Sequence, residues 1–438
     1  MTKAGFSRVD VTPPLGSYLA GYFRDRFAKG ILDPIELNAI AVSDGENTVL
    51  VIASDFLGIA KPYCDAIAKR ITEKTGIPEE CIMLSSLHQH TSIVLRTMTP
   101  HTLNDTAYMD FLYRKFTDVA VMAIDDMKDA ELFYAEEETA EPIAFIRRYY
   151  MKDGSVATNP GKRLDEIVRP CDNSDNTVRL LRFKREGAND IAFVNFNTHP
   201  DVIGGELLSA DWPGFVRRFV EKEHEGVSCM MLNGVQGDSN HHDFIGRAQG
   251  KGPITDKYGH SAYMGRTIAD TVSKIWDKVT AFSTDSVSGG KTVVLNKTRT
   301  DGFEEYDTAK KLLDDHFAGR SEKIFAGGEL GRLRRIVNLR TDPIFRQVPV
   351  TVLKIGGIAV VGFGGEPFTH YATAVREAYP ELKVIASCCA NGFEGYLPTR
   401  AALEEGGGYE ANTSPYSPDI EESCVAAANK IISELWEK

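Results

Sequence analysis

The sequence lacks the features of secreted, membrane-spanning and nucleic-acid-binding proteins. Its seven cysteines are scattered and form no C-x-x-C pair, so neither a disulfide framework nor a cysteine zinc cluster is predicted. No run approaches the roughly 20 apolar residues of a membrane span, and no apolar leader-type segment is present. A net charge of −12 lacks the basic footprint of a nucleic-acid or anionic-membrane binder. We therefore expect a cytoplasmic protein that acts on a small molecule, in an oligomeric state that the sequence leaves open.

What the sequence does contain is ample apolar material and a clear alternation of strands and helices. Of its 438 residues, 42% are hydrophobic, an ordinary globular proportion. The run Thr48–Ser54 predicts a buried strand, Lys61–Lys74 has helical spacing, and Cys81–Ser85 predicts a second strand. The same order recurs over residues 358–387. This alternation predicts an α/β fold of mixed sheets flanked by helices, with an internal strand–helix–strand pseudo-repeat.

The chain shows no linker that would separate two domains. Without a proline-rich or low-complexity tract, we expect residues 1–438 to form a single catalytic domain. Residues 301–340 are charged, helix-favouring and interrupted by glycine. They predict a helical excursion on the surface, with a lid over a substrate as the alternative.

Histidine is scarce, and the histidines that follow predicted strands are candidates for chemistry. Of the ten in the chain, His88 and His90 are two residues apart, so on an extended segment both side chains point the same way. His199 follows another apolar run, and Glu366 follows two glycines at the end of a buried strand. A carboxylate there is costly unless it is paired or coordinated. Two histidines and one glutamate are the ligands of a hydrolytic zinc site that keeps a position open for water.

Two other interpretations of the sequence remain open at this point. Ser239 is a candidate nucleophile of a serine esterase, although no G-x-S-x-G elbow surrounds it. The adjacent His241 and His242 would point to opposite faces of a strand, so we do not expect both to bind one ion. A non-catalytic metal-binding protein is the third hypothesis. The candidate base in His88-Gln89-His90 speaks against it, because metal storage needs no base.

A series of short motifs recurs along the chain in a specific order and spacing. They are Gly5–Gly21 (GFSRVDVTPPLGSYLAG), Asp33-Pro34, Ser54-Asp55, Ser85–Ser92 (SSLHQHTS), Thr198–Pro200, Asn233–Asn240 (NGVQGDSN), Gly364–Phe368 (GGEPF), Gly392–Thr399 (GFEGYLPT) and Gly408–Glu410. Together they resemble the catalytic domain of the neutral/alkaline non-lysosomal ceramidases over nearly the whole chain.

The resemblance implies a set of site residues. Zinc would be held by four side chains, namely His88, His199, Glu366 and Tyr409. His90 would be the general base for the attacking water. The residues that polarise the amide carbonyl would be an arginine, Arg148 or its neighbour Arg147, and the tyrosine Tyr416.

The sequence departs from the family in two ways, and these departures affect the expected substrate but not the expected fold. Ceramidases of this family are secreted or membrane-associated and carry a C-terminal immunoglobulin-like domain, neither of which we expect here. Ser92 is followed by Ile93-Val94-Leu95 instead of a Gly-Pro-Gly-type turn. The acidic charge and the polar, glycine-rich segment Glu404–Asn412 also do not suit the extraction of a two-chain lipid from a membrane. We therefore predict a zinc-dependent hydrolase of a linear amide (N-acyl) bond in a small soluble substrate, with an ester or lactone as the alternative.

Overall fold

Two β-sheets organise the protein in the computed structural model, which describes residues 2–22, 24–96, 106–282, 286–323, 325, 327–340 and 344–437. The large sheet has nine strands. In spatial order, eight of them are Val227–Asn233, Asp190–Phe196, Thr177–Arg185, Lys128–Glu138, Lys3–Asp10, Glu36–Ser43, Thr48–Ser54 and Ile82–Ser86. The remaining strand, Thr280–Phe282, pairs with Lys128–Glu138 beside this path.

The small sheet has four strands, and several short strands surround both sheets. The four are Val287–Lys297, Phe345–Ile355, Ile358–Phe363 and Lys383–Ser387. The short strands pair as Gly30–Ile31 with Leu207–Leu208, Gly58–Ile59 with Val94–Leu95, Phe145–Ile146 with Ser239–Asn240, Glu366–Pro367 with Tyr396–Leu397, and Arg148–Met151 with both Val156–Thr158 and Ile167–Pro170.

Eleven α-helices flank the sheets in the described part of the chain. They are Lys61–Thr75, Thr106–Asp125, Asp211–Glu223, Phe244–Ala248, Lys257–Ile275, Tyr306–Phe317, Gly327–Asn338, Thr369–Ala378, Arg400–Glu405, Gly408–Thr413 and Ile420–Trp436. The helix Lys61–Thr75 shows how the pattern works. It buries Cys64, Ile67 and Ile71 at helical spacing and ends where Gly76, at a φ of 78°, donates its N–H to the carbonyl of Thr72.

The strand–helix–strand unit places the functional residues. Three such units span residues 48–86, 190–233 and 358–387, and each contributes a parallel strand pair. The α/β class and the pseudo-repeat are therefore confirmed, with a third unit beyond the two predicted. Because ligands bind beyond the carboxyl ends of parallel strands, the residues that follow these strands are the candidates for a functional site.

The helical segment after residue 300 has a small core of its own. The helices Tyr306–Phe317 and Gly327–Asn338 pack through a cluster that includes Leu313, Leu333 and Ile336. Residues 327–329 also border the cavity described below, so this segment contributes to the wall of that cavity. No helix in the described ranges is both long and apolar enough to cross a bilayer.

Candidate metal centre and adjoining cavity

Side chains from three strand ends meet at one point. His88 follows the strand Ile82–Ser86, His199 follows Asp190–Phe196, and Glu366 lies just beyond Ile358–Phe363. The Oε2 atom of Glu366 is 3.3 Å from the Nε2 atom of His88 and 3.3 Å from that of His199. All three side chains are almost completely buried.

Backbone carbonyls fix the orientation and tautomer of both imidazoles. The Nδ1 atom of His88 lies 2.8 Å from the carbonyl of Leu57, and that of His199 lies 2.8 Å from the carbonyl of Gln236. A carbonyl only accepts hydrogen bonds, so each Nδ1 carries a proton, and each Nε2 faces the Glu366 carboxylate. Such a partner on the far nitrogen is typical of metal-ligating histidines.

The donor set fits a metal ion. The Nε2 atom of His199 and the Oε2 atom of Glu366 are buried and hydrogen bond to no described residue. Polar atoms buried in this way cost about 1–3 kcal/mol each unless a partner is added. The ligand atoms of His88, His90 and His199 also lie within 4.8 Å of one another. This buried group can bind a metal ion, and its nitrogen and carboxylate donors are those of a catalytic zinc site.

The charges of the centre are matched to a cation. Although burial raises its pKa, the Glu366 carboxyl is held well below its usual pKa by His88 and His199. Burial and then the positive charge of Arg147 lower the pKa of His199 to about 3. Burial and then His88 lower the pKa of His90 well below its usual value. Near pH 7 the centre therefore holds one carboxylate with the uncharged imidazoles of His90 and His199, which is the protonation state that metal ligation requires.

Close backbone packing holds the centre in place. His88 has a φ of 74°, a conformation that non-glycine residues seldom adopt and that is often found at functional sites. At Gly237, an added Cβ would lie 2.3 Å from the carbonyl oxygen of Glu366. Only glycine permits this close approach.

A cavity of about 470 Å³ adjoins the centre. His90 borders it, while the Nε2 atom of His90 is 3.3 Å from that of His88. On its other side, the Nδ1 atom of His90 is 3.7 Å from Oδ1 of Asp201, which accepts a hydrogen bond from the hydroxyl of Tyr22. Sequence reasoning missed Asp201 and Tyr22. The only available signal was that Asp201 lies two residues after His199.

The two adjacent arginines border different cavities. Arg147 borders the cavity, and its guanidinium pairs with Oε1 of Glu410 at 2.6 Å and donates to the carbonyl of Gly237. Arg148 points away and pairs with Oε2 of the same glutamate at 3.3 Å, and it borders a separate, smaller cavity. Of the two arginines that the sequence left open, Arg147 therefore borders the cavity beside His90 and Arg148 does not, while the carbonyl-polarising role of either one stays a prediction. Arg148 and Arg147 share the buried carboxylate of Glu410 between them.

The tyrosines that border the cavity differ in part from those that the sequence predicted. Tyr416 is completely buried and donates its hydroxyl to the carbonyl of Glu394 at 2.8 Å, so it is not among the residues that border the cavity. Tyr409 does border it, and its ring centroid is 5.4 Å from that of Tyr396. Tyr396, which was not predicted as a site residue, is the register partner of Glu366 and stacks on His199 at 6.4 Å.

The region of Ser239 does not have the geometry of a serine esterase. The hydroxyl of Ser239 donates to the carbonyl of Asn197 at 3.5 Å, while only its carbonyl contacts His199. His241 and His242 do not lie on a strand, and their ring centroids are 3.9 Å apart. The alternation of side chains along a strand therefore does not apply to this pair.

Comparison with known proteins supports the fold. No family model and no curated protein matches the sequence. The crystal structure of neutral ceramidase from Pseudomonas aeruginosa matches with a TM-score of 0.76 and 15% identity, over 100% of this chain and 74% of that one. A ceramidase complexed with C2 matches with a TM-score of 0.75 and 14% identity, over 100% of this chain and 75% of that one. The chain therefore has the fold of the neutral ceramidases.

Proposed function

We propose that the protein is a zinc-dependent hydrolase that cleaves a linear amide (N-acyl) bond in a small, soluble molecule. The observation that supports this most strongly is the convergence of His88, His199 and Glu366, with distances of 3.3 Å from the carboxylate to each imidazole. These three side chains would hold the zinc ion. When bound there, zinc acidifies water to a pKa near 7 and polarises a carbonyl.

His90 is the proposed general base. It lies between the ligands and the cavity, with 8% of its surface exposed, compared with 0% for His199. Because its pKa is held well below the usual value by burial and His88, its imidazole is uncharged near pH 7 and can accept a proton. Asp201, with its Oδ1 atom 3.7 Å from Nδ1, lies on the opposite side of the ring and favours the imidazolium that proton transfer creates. The same proton can then pass to the leaving amine.

Arg147 and the two cavity tyrosines complete the proposed site. Arg147 supplies a fixed positive charge at the cavity wall, where a carbonyl oxygen gains negative charge during hydrolysis. Of the tyrosines, Tyr396 is the one that pairs in register with Glu366 and stacks on the ring of His199. We therefore assign Tyr396 as the phenol beside the metal and Tyr409, which had been predicted there, as a contact to the substrate. Burial raises the pKa of both phenols, so both are hydrogen-bond donors before a metal binds.

The cavity lining supports a polar substrate. Beside glycines and the apolar Val156 and Ala157, its lining carries hydroxyl, amide and carboxylate groups, and these polar residues are Thr158, Asn159, Asp201, Glu329 and Asn412. A long acyl chain packed against such groups would displace water from the hydrogen-bonding positions that their protein partners leave open. A short acyl group on a polar amine leaves them free to bind hydroxyls or an amide.

The experiment is a panel of acyl lengths on one polar amine, from acetyl to palmitoyl, with the matching esters and with ceramide. We expect kcat/KM to be highest for the short amides and lowest for ceramide. A dipicolinate-treated sample should be inactive, while a serine-directed phosphonate should have no effect. Activity that rises steadily with acyl length, with ceramide best, would overturn the substrate assignment. Activity that survives chelation but is lost to the phosphonate would overturn the metal-dependent mechanism.

A further inference from the structure

A second cavity lies outside the proposed catalytic site. Its volume is about 390 Å³, within the range of about 300–1,000 Å³ that is typical of small-molecule sites. Its walls combine apolar side chains with imidazoles, and these residues include Pro142, Ile143, Phe145, His241, His242 and His260. No described residue borders both this cavity and the one beside His90.

A two-stranded ribbon leads to residues of both cavities. In it, Phe145–Ile146 pairs with Ser239–Asn240, with Ile146 opposite Ser239. Phe145 faces the second cavity, and Arg147, two residues later, faces the catalytic one. On the other strand, the carbonyl of Ser239 holds the ring of His199, and the chain continues to His241 in the second cavity. The second cavity is therefore linked to the metal centre through this ribbon but shares no lining residue with the catalytic cavity.

His241 is buried in this cavity without a partner. Only 2% of its surface is exposed, yet neither ring nitrogen hydrogen bonds to a described residue. The Nε2 atom of His260 is also buried without a partner. An imidazole withdrawn from water in this way destabilises the fold unless something in the cavity satisfies it. His241 thus offers one N–H donor and one acceptor to a ligand.

Two carboxylates and two cations border the cavity, namely Glu141, Asp243, Arg247 and Lys251. Lys251 pairs with Asp243 at 3.2 Å, and Glu141 accepts a hydrogen bond from Tyr263 at 3.1 Å. Arg247 forms no ion pair with any described residue, and its guanidinium lies over the ring of Phe244 at 5.2 Å. A planar guanidinium with free donors matches a carboxylate, which it can bind through two parallel hydrogen bonds.

A metal ion suits this cavity less well. In the part of the chain that the structure describes, the histidines with three ligand atoms within 4.8 Å of one another are those of the candidate metal centre. Apolar walls beside separated hydrogen-bonding groups suit an organic molecule with a polar end.

We propose that the second cavity binds a small organic carboxylate with a compact apolar body. The carboxylate pairs with Arg247 and accepts the N–H of His241, while the body packs against Pro142, Ile143 and Phe145. This site is independent of the amide hydrolysis proposed above, because none of these residues belongs to the catalytic cavity.

Calorimetric titration of the full chain with sodium 3-phenylpropanoate tests this assignment. We expect saturable binding, which Arg247→Gln weakens about 10- to 100-fold, the usual effect of losing a charged hydrogen-bond partner. Arg114→Gln removes the same charge from an exposed position on the helix Thr106–Asp125 and should leave the affinity unchanged. No saturable binding to the wild type, or equal effects of the two substitutions, would overturn the proposal.

Two further measurements separate this cavity and this ligand class from others. Ile254 borders the cavity and is only partly buried, so Ile254→Trp should fill the space without unfolding the chain. It should abolish 3-phenylpropanoate binding, and hydrolytic turnover should be unchanged. The uncharged 3-phenylpropanamide should bind at least about ten-fold more weakly than the carboxylate. Binding that survives Ile254→Trp would place the ligand elsewhere, and equal affinity for the amide would contradict a carboxylate site.

Discussion

Replacing each histidine of the His88-Gln89-His90 pair tests the separation of ligand from base. In His90→Ala, both imidazole Nε2 atoms and the Glu366 carboxylate of the ligand set remain, with their 3.3 Å distances. We therefore expect the metal content of this variant to match that of the wild type. Turnover should fall about 10²–10⁴-fold, the usual contribution of a positioned base, which corresponds to about 2.7–5.4 kcal/mol of transition-state stabilisation.

His88→Ala should instead lower the metal content of the protein. It removes one of the three proposed protein ligands, and Nδ1 of that ring is held by the carbonyl of Leu57 at 2.8 Å. Loss of a hydrogen-bond partner that orients a ligand usually weakens metal binding about 10–100-fold. Loss of the ligand itself should weaken metal binding by more than that. Since residue 88 has a φ of 74°, His88→Asn is the better-folded version of the same test, because asparagine tolerates this conformation.

The assay is metal content by elemental analysis after gel filtration, with kcat measured on the best substrate of the acyl panel. His316→Ala, on the helix Tyr306–Phe317, is the matched control and should change neither value. If His90→Ala empties the site and His88→Ala does not, the roles within the pair are reversed. If both variants lose the metal, His90 is a third imidazole ligand, and the assignment of His90 as the base is refuted.

Two further predictions concern the packing of the site. Gly237→Ala should lower the free energy of unfolding by about 1–3 kcal/mol, because the new Cβ would lie 2.3 Å from the carbonyl oxygen of Glu366. Chemical denaturation measures this change. Gly252→Ala is the control and should show no such loss, because its Cβ would meet nothing within 4 Å. Glu410→Gln should cost about 3–5 kcal/mol, since it leaves two buried arginines without their carboxylate. Although burial raises its pKa, Arg147 and Arg148 outweigh burial and hold the pKa of Glu410 below its usual value. The contribution of Glu410 to stability is therefore complete above about pH 4.3, the pKa of an unfolded glutamate, and is lost as pH falls. The stability of Glu410→Gln should consequently depend less on pH in acid denaturation than that of the wild type. Equal slopes would refute this pairing.

The part of the site that follows apolar runs was predictable from the sequence. His88, His199 and Glu366 each come just after a short apolar strand, and parallel strands gather their carboxyl ends at one edge. The two strand–helix–strand units at residues 48–86 and 358–387 were identified in the same way. The third unit was not predicted as a repeat, although both of its strands were.

The remainder depended on pairings that are distant in the sequence. Tyr396 acquires its position from a two-residue parallel pairing with Glu366, and no periodicity marks so short a strand. Arg147 and Arg148 are adjacent, so their side chains project to opposite sides, and the short run before them does not fix which side faces the cavity. Tyr416 lies at an isolated bridge to Thr298, a contact that brings it into the core of the small sheet. For these residues the motif identified the residue type but not the direction in which the side chain points.

Elemental analysis of the purified wild-type protein tests the central claim most directly. We predict one zinc ion per chain after expression in zinc-supplemented medium. Dialysis against dipicolinate should remove both the metal and the hydrolytic activity, and one equivalent of zinc should restore both. A protein that contains no transition metal even after supplementation, or that hydrolyses its substrate equally well without one, would contradict the account.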